Sequence, residues 1–202
     1  MIKAVIFDIG GVLIEWNDQW IIDDIKNTLL ISEETARRCW ERHLHPLSRG
    51  EISEQEFWTL FCSDAGVNVT NSLHDVMMRE FINRFQPNQA VISIAQRLKK
   101  NGYRIAILSN SIEPHLNFLR SKNIDDDFEF AVYSSEVGVE KPDREIYELT
   151  LAKVGLPAEE TVFIDNVEGN IVGAQKVGMR GIVYTTDQQL EQDLRILGVR
   201  LS

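Results

Sequence analysis

Apolar residues in this chain fall into short unbroken runs separated by longer stretches with helical spacing. Lys3–Ile9 (KAVIFDI), Tyr103–Leu108 (YRIAIL), Phe130–Tyr133, Thr161–Ile164 (TVFI) and Gly181–Tyr184 (GIVY) are the runs, and most are bounded by Gly, Asp, Asn or Ser. Continuous runs of this length, without polar alternation, suit strands covered on both faces. Ala90–Asn101, Glu113–Ser121, Arg144–Val154, Gly169–Val177 and Gln188–Leu197 are amphipathic at helical period. Strand, helix, strand in this rhythm predicts a three-layer α/β/α fold around a doubly wound parallel sheet of about five strands with right-handed crossovers.

One segment breaks the rhythm. Residues 15–86 contain no convincing strand and read as short helices starting at Ser32 (SEET), Ser53 (SEQE) and Thr70 (TNSL), the first two with the spacing of a capping box. All four tryptophans (Trp16, Trp20, Trp40, Trp58) lie in this segment, where core packing is their ordinary role. The expected organisation is therefore an α/β core of residues 1–14 and 87–202, with a helical cap of residues 15–86 inserted after the first strand.

Composition narrows the function classes. The chain has 202 residues, 31 acidic and 21 basic, for a formal net charge of −10. That balance argues against nucleic acid, whose phosphates need clustered Lys and Arg, and against an anionic membrane surface. No apolar run approaches the roughly 20 residues needed to span a bilayer, and the first residues lack the shape of a signal peptide. Cys39 and Cys62 form neither a disulfide framework nor a CxxC pair, so they read as small buried hydrophobes. A cytoplasmic protein, monomeric or homodimeric, is the expectation.

Chemistry is sought where ligands bind such sheets, beyond the carboxyl ends of the strands. Asp8-Ile9-Gly10-Gly11 follows the first strand, Ser109-Asn110-Ser111 the second, a loop ending in Glu140-Lys141-Pro142 the third, and Asp165-Asn166 the fourth. Two carboxylates, a hydroxyl with an amide, and a lysine meet the needs of phosphoryl transfer. A carboxylate can act as nucleophile. Mg²⁺ takes one or two carboxylates plus neutral oxygens. Hydroxyl and ammonium donors suit the phosphoryl oxygens.

With those four motifs in order, the chain resembles the haloacid dehalogenase-like (HAD) hydrolases over nearly its whole length. VIFDIGGVL, Ser109, EKPD at Lys141 and VFIDN at Asp165 bear the resemblance, and Asn170, Ala174 and Gly178-Met179 fit the run that follows. The closest branch resembles small sugar-phosphate phosphatases, typified by a glucose-1-phosphate phosphatase. The resemblance implies a Mg²⁺-dependent phosphatase of a small phosphorylated metabolite. Asp8 would be the nucleophile, and Lys141 would hold Asp8 and the phosphate charge. Ser109, Asn110 and Lys141 would bind the phosphoryl group. Asp8, the Gly10 carbonyl, Asp165 and Asn166 would ligate the metal.

Two positions depart from the commonest family pattern. Gly10 stands where a second Asp usually serves as acid and base, and Asn166 stands where a second acid usually assists the metal. Three readings stay open. The substrate has a good leaving group, such as an anomeric sugar phosphate or an acyl phosphate. Alternatively, Glu15, His43 or His45 supplies the proton. In the third, the chain binds a phosphorylated ligand or partner without efficient turnover. Arg49 stands at a helix end, where a cation suits the dipole or reaches a substrate anion. Asp125-Asp126-Asp127 reads as a solvated loop.

Overall fold

A computed structural model describes residues 1–69, 73 and 76–201. Its centre is a parallel sheet in which β1 (Ala4–Phe7), β2 (Arg104–Ser109), β3 (Ala131–Tyr133), β4 (Thr161–Asp165) and β5 (Arg180–Val183) stand in the order β3-β2-β1-β4-β5. The side chains of each strand alternate between two apolar layers. Val5, Phe7, Ile105, Ile107, Val162 and Ile164 face one side, packed by α5 (Gln89–Lys100), α6 (Glu113–Ser121) and α10 (Asp187–Ile196). Ile6, Ala106, Leu108, Val132 and Phe163 face the other, packed by α8 (Arg144–Val154) and α9 (Glu168–Lys176). Both faces are thus covered, which is why the strands read as continuous apolar runs rather than as alternating ones. A one-turn helix, α7 (Ser134–Val137), follows β3 directly.

The segment between β1 and α5 is helical and has a core of its own. It contains α1 (Asp18–Leu29), α2 (Glu33–Ser48), α3 (Glu54–Ala65) and α4 (Val76–Asn83). Ile21, Ile22, Ile25, Trp40, Phe57, Trp58 and Phe61 pack together there, with Cys39 and Cys62 buried beside them as free thiols. Ser53 forms the expected capping box, its hydroxyl accepting from Glu56 N while the Glu56 carboxylate accepts from Ser53 N. At Ser32 the box does not form. The third helical residue is Thr35, so Ser32 accepts from Thr35 N and the two hydroxyls pair at 2.9 Å. The start of α1, capped by Asn17 accepting from Gln19 N, was not expected from the sequence. The start expected at Thr70 lies outside the described residues. Among those residues no helix is long and apolar enough to cross a membrane.

Candidate active site

Chain order reverses at β1, which places β4 beside it and opens a crevice at their carboxyl ends. Phe7 pairs with Ile164, so Asp8, the next residue, stands level with Asp165 at the end of β4. The Asp8 N–H donates to the Ile164 carbonyl at 2.9 Å, which carries the parallel ladder one step past the strand. Lys141, from the loop after α7, inserts between the two carboxylates. Its Nζ lies 2.7 Å from Asp8 Oδ1 and 2.7 Å from Asp165 Oδ2, and all three side chains are buried.

Each member of this trio is fixed by its neighbours. Asp165 Oδ1 accepts from Val167 N at 2.7 Å, and Oδ2 also accepts from Asn170 Nδ2 at 2.9 Å. The Lys141 backbone is gripped at both ends by one side chain: its N–H donates to Asn110 Oδ1 at 2.8 Å, and its carbonyl accepts from Asn110 Nδ2 at 2.9 Å. The Asn110 amide, expected to face a phosphoryl group, is thus committed to the lysine loop and positions Lys141. Ser109 is buried at the end of β2, and Ser111 Oγ donates to its hydroxyl at 3.0 Å.

Electrostatics make the pit unusual. Burial pushes the Asp8 carboxyl up to about 6, with Lys141 drawing it back and Asp165 pushing it further. Burial works against the Lys141 ammonium, yet the two carboxylates outweigh it and hold the group above its ordinary range. Two carboxylates against one ammonium leave one unit of negative charge uncompensated. Among the described residues no cluster of three or more His, Cys, Asp or Glu side chains forms a metal cage. A cation at this rim would rest on Asp8, Asp165 and neutral oxygens such as the Asn166 amide and the Gly10 carbonyl. That donor set, with its excess charge, fits a hard divalent ion of the Mg²⁺ kind.

Of the two departures from the expected pattern, Gly10 lies in the loop after β1 and Asn166 follows β4. Gly11 has φ +82°, and a Cβ there would lie 2.6 Å from the Asn166 amide, so Asn166 rests on the bare backbone of residue 11. Gly10 has no such constraint: its φ is not positive, and the nearest atoms a Cβ would meet belong to Trp16, from 3.5 Å.

Above the pit opens a cavity of about 580 Å³. Its floor includes Asp8, Gly10, Ser109, Asn110, Lys141 and Asn166. Trp16 and Trp40 line it from the helical segment, and Ile112 and His115 from the core. Of the three proton donors considered from sequence, only His45 lines the cavity, and its ring is bonded to Glu140 at 2.6 Å. His43 is instead paired with Asp64 at 2.7 Å inside the helical segment. Glu15 is exposed, away from the cavity lining. Arg49 reaches core acids, Asp143 at 2.9 Å and Glu140 at 3.3 Å, and Trp58 is buried core. His115 was missed by sequence reading. Its signal is a histidine in the apolar stripe Ile112, Leu116 and Leu119, which runs from the N-cap into α6 at helical spacing.

Comparison with known proteins identifies the family. A profile for haloacid dehalogenase-like hydrolases matches residues 2–178. The chain is 30% identical to a sesquiterpene phosphatase, astK, of Aspergillus oryzae, over 96% of each protein. It is 28% identical to a glyceraldehyde 3-phosphate phosphatase of Methanothermobacter thermautotrophicus, over 78% of this chain and 66% of that one. In fold it is similar to a HAD-family enzyme of Bacteroides thetaiotaomicron crystallised with magnesium and inorganic phosphate. The TM-score is 0.74 at 24% identity, over 92% of this chain and 95% of that one. The chain belongs to the haloacid dehalogenase-like hydrolase family.

Proposed function

We propose that the protein is a Mg²⁺-dependent phosphatase of a small phosphorylated metabolite, working through an aspartyl-phosphate on Asp8. The observation that carries this reading is the ammonium of Lys141 at 2.7 Å from both Asp8 and Asp165. It holds the nucleophile's carboxylate in place and supplies positive charge where a phosphoryl group would sit. Asp8 and Asp165, with Asn166 and the Gly10 carbonyl, would hold the metal. Bound there, Mg²⁺ supplies neutralisation of the phosphoryl charge.

In this reading an Asp8 oxygen attacks phosphorus and the P–O bond to the alcohol breaks. The alkoxide leaves with its electron pair and takes a proton from water. Ser109 and Lys141 orient the phosphoryl oxygens, and Asn110 keeps the lysine loop in place. Water then attacks the phosphorus of the acyl phosphate, releasing inorganic phosphate and restoring the Asp8 carboxylate. The helical segment would act as a cap that limits water and selects the substrate. Sugar phosphates and apolar phosphates are both compatible with this chemistry, since it touches only the phosphoryl end. The free, buried Cys39 and Cys62 suit a reducing, cytoplasmic setting.

Gly10 favours a second reading, a protein that binds phosphorylated ligands without efficient turnover, because no side chain stands where acid–base catalysis is usually provided. One experiment separates the two. With Mg²⁺ and an aryl phosphate, the phosphatase reading expects release that stops with EDTA and in Asp8→Asn. Phosphate-dependent binding without release from any substrate would sink it.

A further inference from the structure

The cavity above the pit is built from two kinds of wall. Near Asp8 it is polar. Toward the helical segment and α6, Trp16, Trp40, Leu44, Phe81, Ile112 and Leu119 line the space, with Asn17, Asp18, His45 and Ser48 among them. His115 joins them, stacked on Phe81 with ring centroids 4.0 Å apart and planes at 10°, and edge-on to Trp16 at 5.8 Å.

A sugar needs a partner for each hydroxyl, and a wall that leaves hydroxyls unpaired rejects it. Beyond the phosphoryl end, the polar side chains in this cavity have partners within the protein. Asn17 caps α1 and Asp18 accepts from Trp16 Nε1 at 2.7 Å. His45 is bonded to Glu140, Ser48 to Ser134, and Asn110 to the Lys141 backbone. Two buried atoms on lining residues are left over. His115 Nε2 and Trp40 Nε1 are buried and have no hydrogen-bond partner. The His115 ring is bonded to the Met77 backbone, and burial pushes its pKa down to about 4, so it is neutral and its bare Nε2 accepts. Trp40 Nε1 only donates. A buried polar group without a partner is costly unless a ligand answers it.

We infer that the leaving-group chamber takes phosphate esters of predominantly apolar alcohols bearing a single polar function, which His115 Nε2 or Trp40 Nε1 recognises. A hydroxyl fits either atom, since it both donates and accepts. The inference deepens the phosphatase reading and rests on it for turnover, but the chamber can be tested without turnover.

Linear alkyl phosphates of increasing length are compared with glucose 1-phosphate and glycerol phosphate, using p-nitrophenyl phosphate to report the chemistry alone. The expected result is kcat/KM rising about fourfold for each early methylene, with the longer alkyl esters overtaking both polyols. A preference for the polyol phosphates overturns the inference. In parallel, binding of decylphosphonate and of a sugar phosphonate is read by tryptophan fluorescence, since Trp16 and Trp40 line the chamber. Tighter alkyl binding with no turnover on any ester would sink the phosphatase reading and leave this one standing. Tighter sugar binding would do the reverse. For the polar function, His115→Phe and Trp40→Phe are assayed with a decyl phosphate and its mono-hydroxylated counterparts. At least one variant should lower the hydroxylated-to-plain ratio of kcat/KM by about tenfold or more. An unchanged ratio in both removes the recognition role.

Discussion

Trp16 stands against the bare face of Gly10: a Cβ on residue 10 would touch the indole Cδ1 at 3.5 Å, an ordinary van der Waals distance. The missing acid–base residue therefore reflects a missing side chain and not a backbone that forbids one. The wild type is expected to release a burst of alcohol stoichiometric with enzyme, then turn over slowly as the acyl phosphate hydrolyses. Gly10→Asp is expected to raise the steady-state rate by about 10²-fold and to shrink the burst. Rapid-quench kinetics checks both. Release that is linear from time zero in the wild type would count against slow dephosphorylation.

Asp8→Asn should trade function for stability. It removes the nucleophile, so turnover should fall by about 10³-fold or more. It also leaves Lys141 balanced by Asp165 alone, which relieves the excess buried charge. In metal-free buffer the variant is expected to be more stable by about 1–3 kcal/mol. Lys141→Met does the opposite, leaving two buried carboxylates uncompensated at a cost of about 3–5 kcal/mol. Denaturant titration of the three proteins decides the matter, and an Asp8→Asn variant weaker than wild type would contradict the charge argument.

Metal should stabilise the fold through the same excess charge. At a hundredfold excess over Kd, Mg²⁺ is expected to add about 2.7 kcal/mol, seen as a rise in Tm that EDTA reverses. The rise should be strongly reduced in Asp8→Asn and in Asp165→Asn. An equal rise in all three would place the ion elsewhere.

His115 gives the fold an acid limit. Its pKa is lowered from 6.5 to about 4 by burial, so the unfolded chain binds the proton more readily. The sign follows: this residue costs nothing above pH 6.5, and stability falls as pH drops from 6.5 towards 4, by about 3 kcal/mol in all. His115→Phe should flatten that part of the stability profile. A parallel profile in the variant would exclude His115 as its source.

Arg49 joins the end of α2 to two acids of the core, Asp143 and the buried Glu140. Arg49→Ala is expected to destabilise by about 1–3 kcal/mol, and by much less in a Glu140→Gln background. Equal losses in both backgrounds would show that the Glu140 pair is not coupled.

Much of this was legible because the strands are buried on both faces. VIF, IAIL and TVFI could hardly be anything else, and crossover handedness then brings the ends of β1 and β4 together. Asp8, Lys141 and Asp165 converge for that reason. What stayed hidden depends on side-chain commitments that sequence does not record. Asn110 has the right chemistry for a phosphate, yet its amide is taken by the Lys141 backbone. His43 and His45 are two residues apart on α2 and so point differently, one to Asp64 and the other to Glu140. Ser32 met the apparent spacing of a box, but Thr35 and not an acid occupies the position that closes it.

The helical segment meets the core along two seams of different chemistry. On the α4 side the seam is aromatic, with Phe81 packed on His115 and Phe118. On the α2 side it is polar: Ser134 Oγ donates to the Ser48 carbonyl at 2.6 Å, Arg49 and His45 pair with Glu140, and a Cβ on Gly50 would fall 2.5 Å from the Ser135 carbonyl oxygen. Water can replace hydrogen bonds at little net cost, but it cannot replace stacked rings without wetting them. Any opening between the helical segment and the core is therefore expected to begin along the polar α2 edge, with the stacked rings as the side that stays closed.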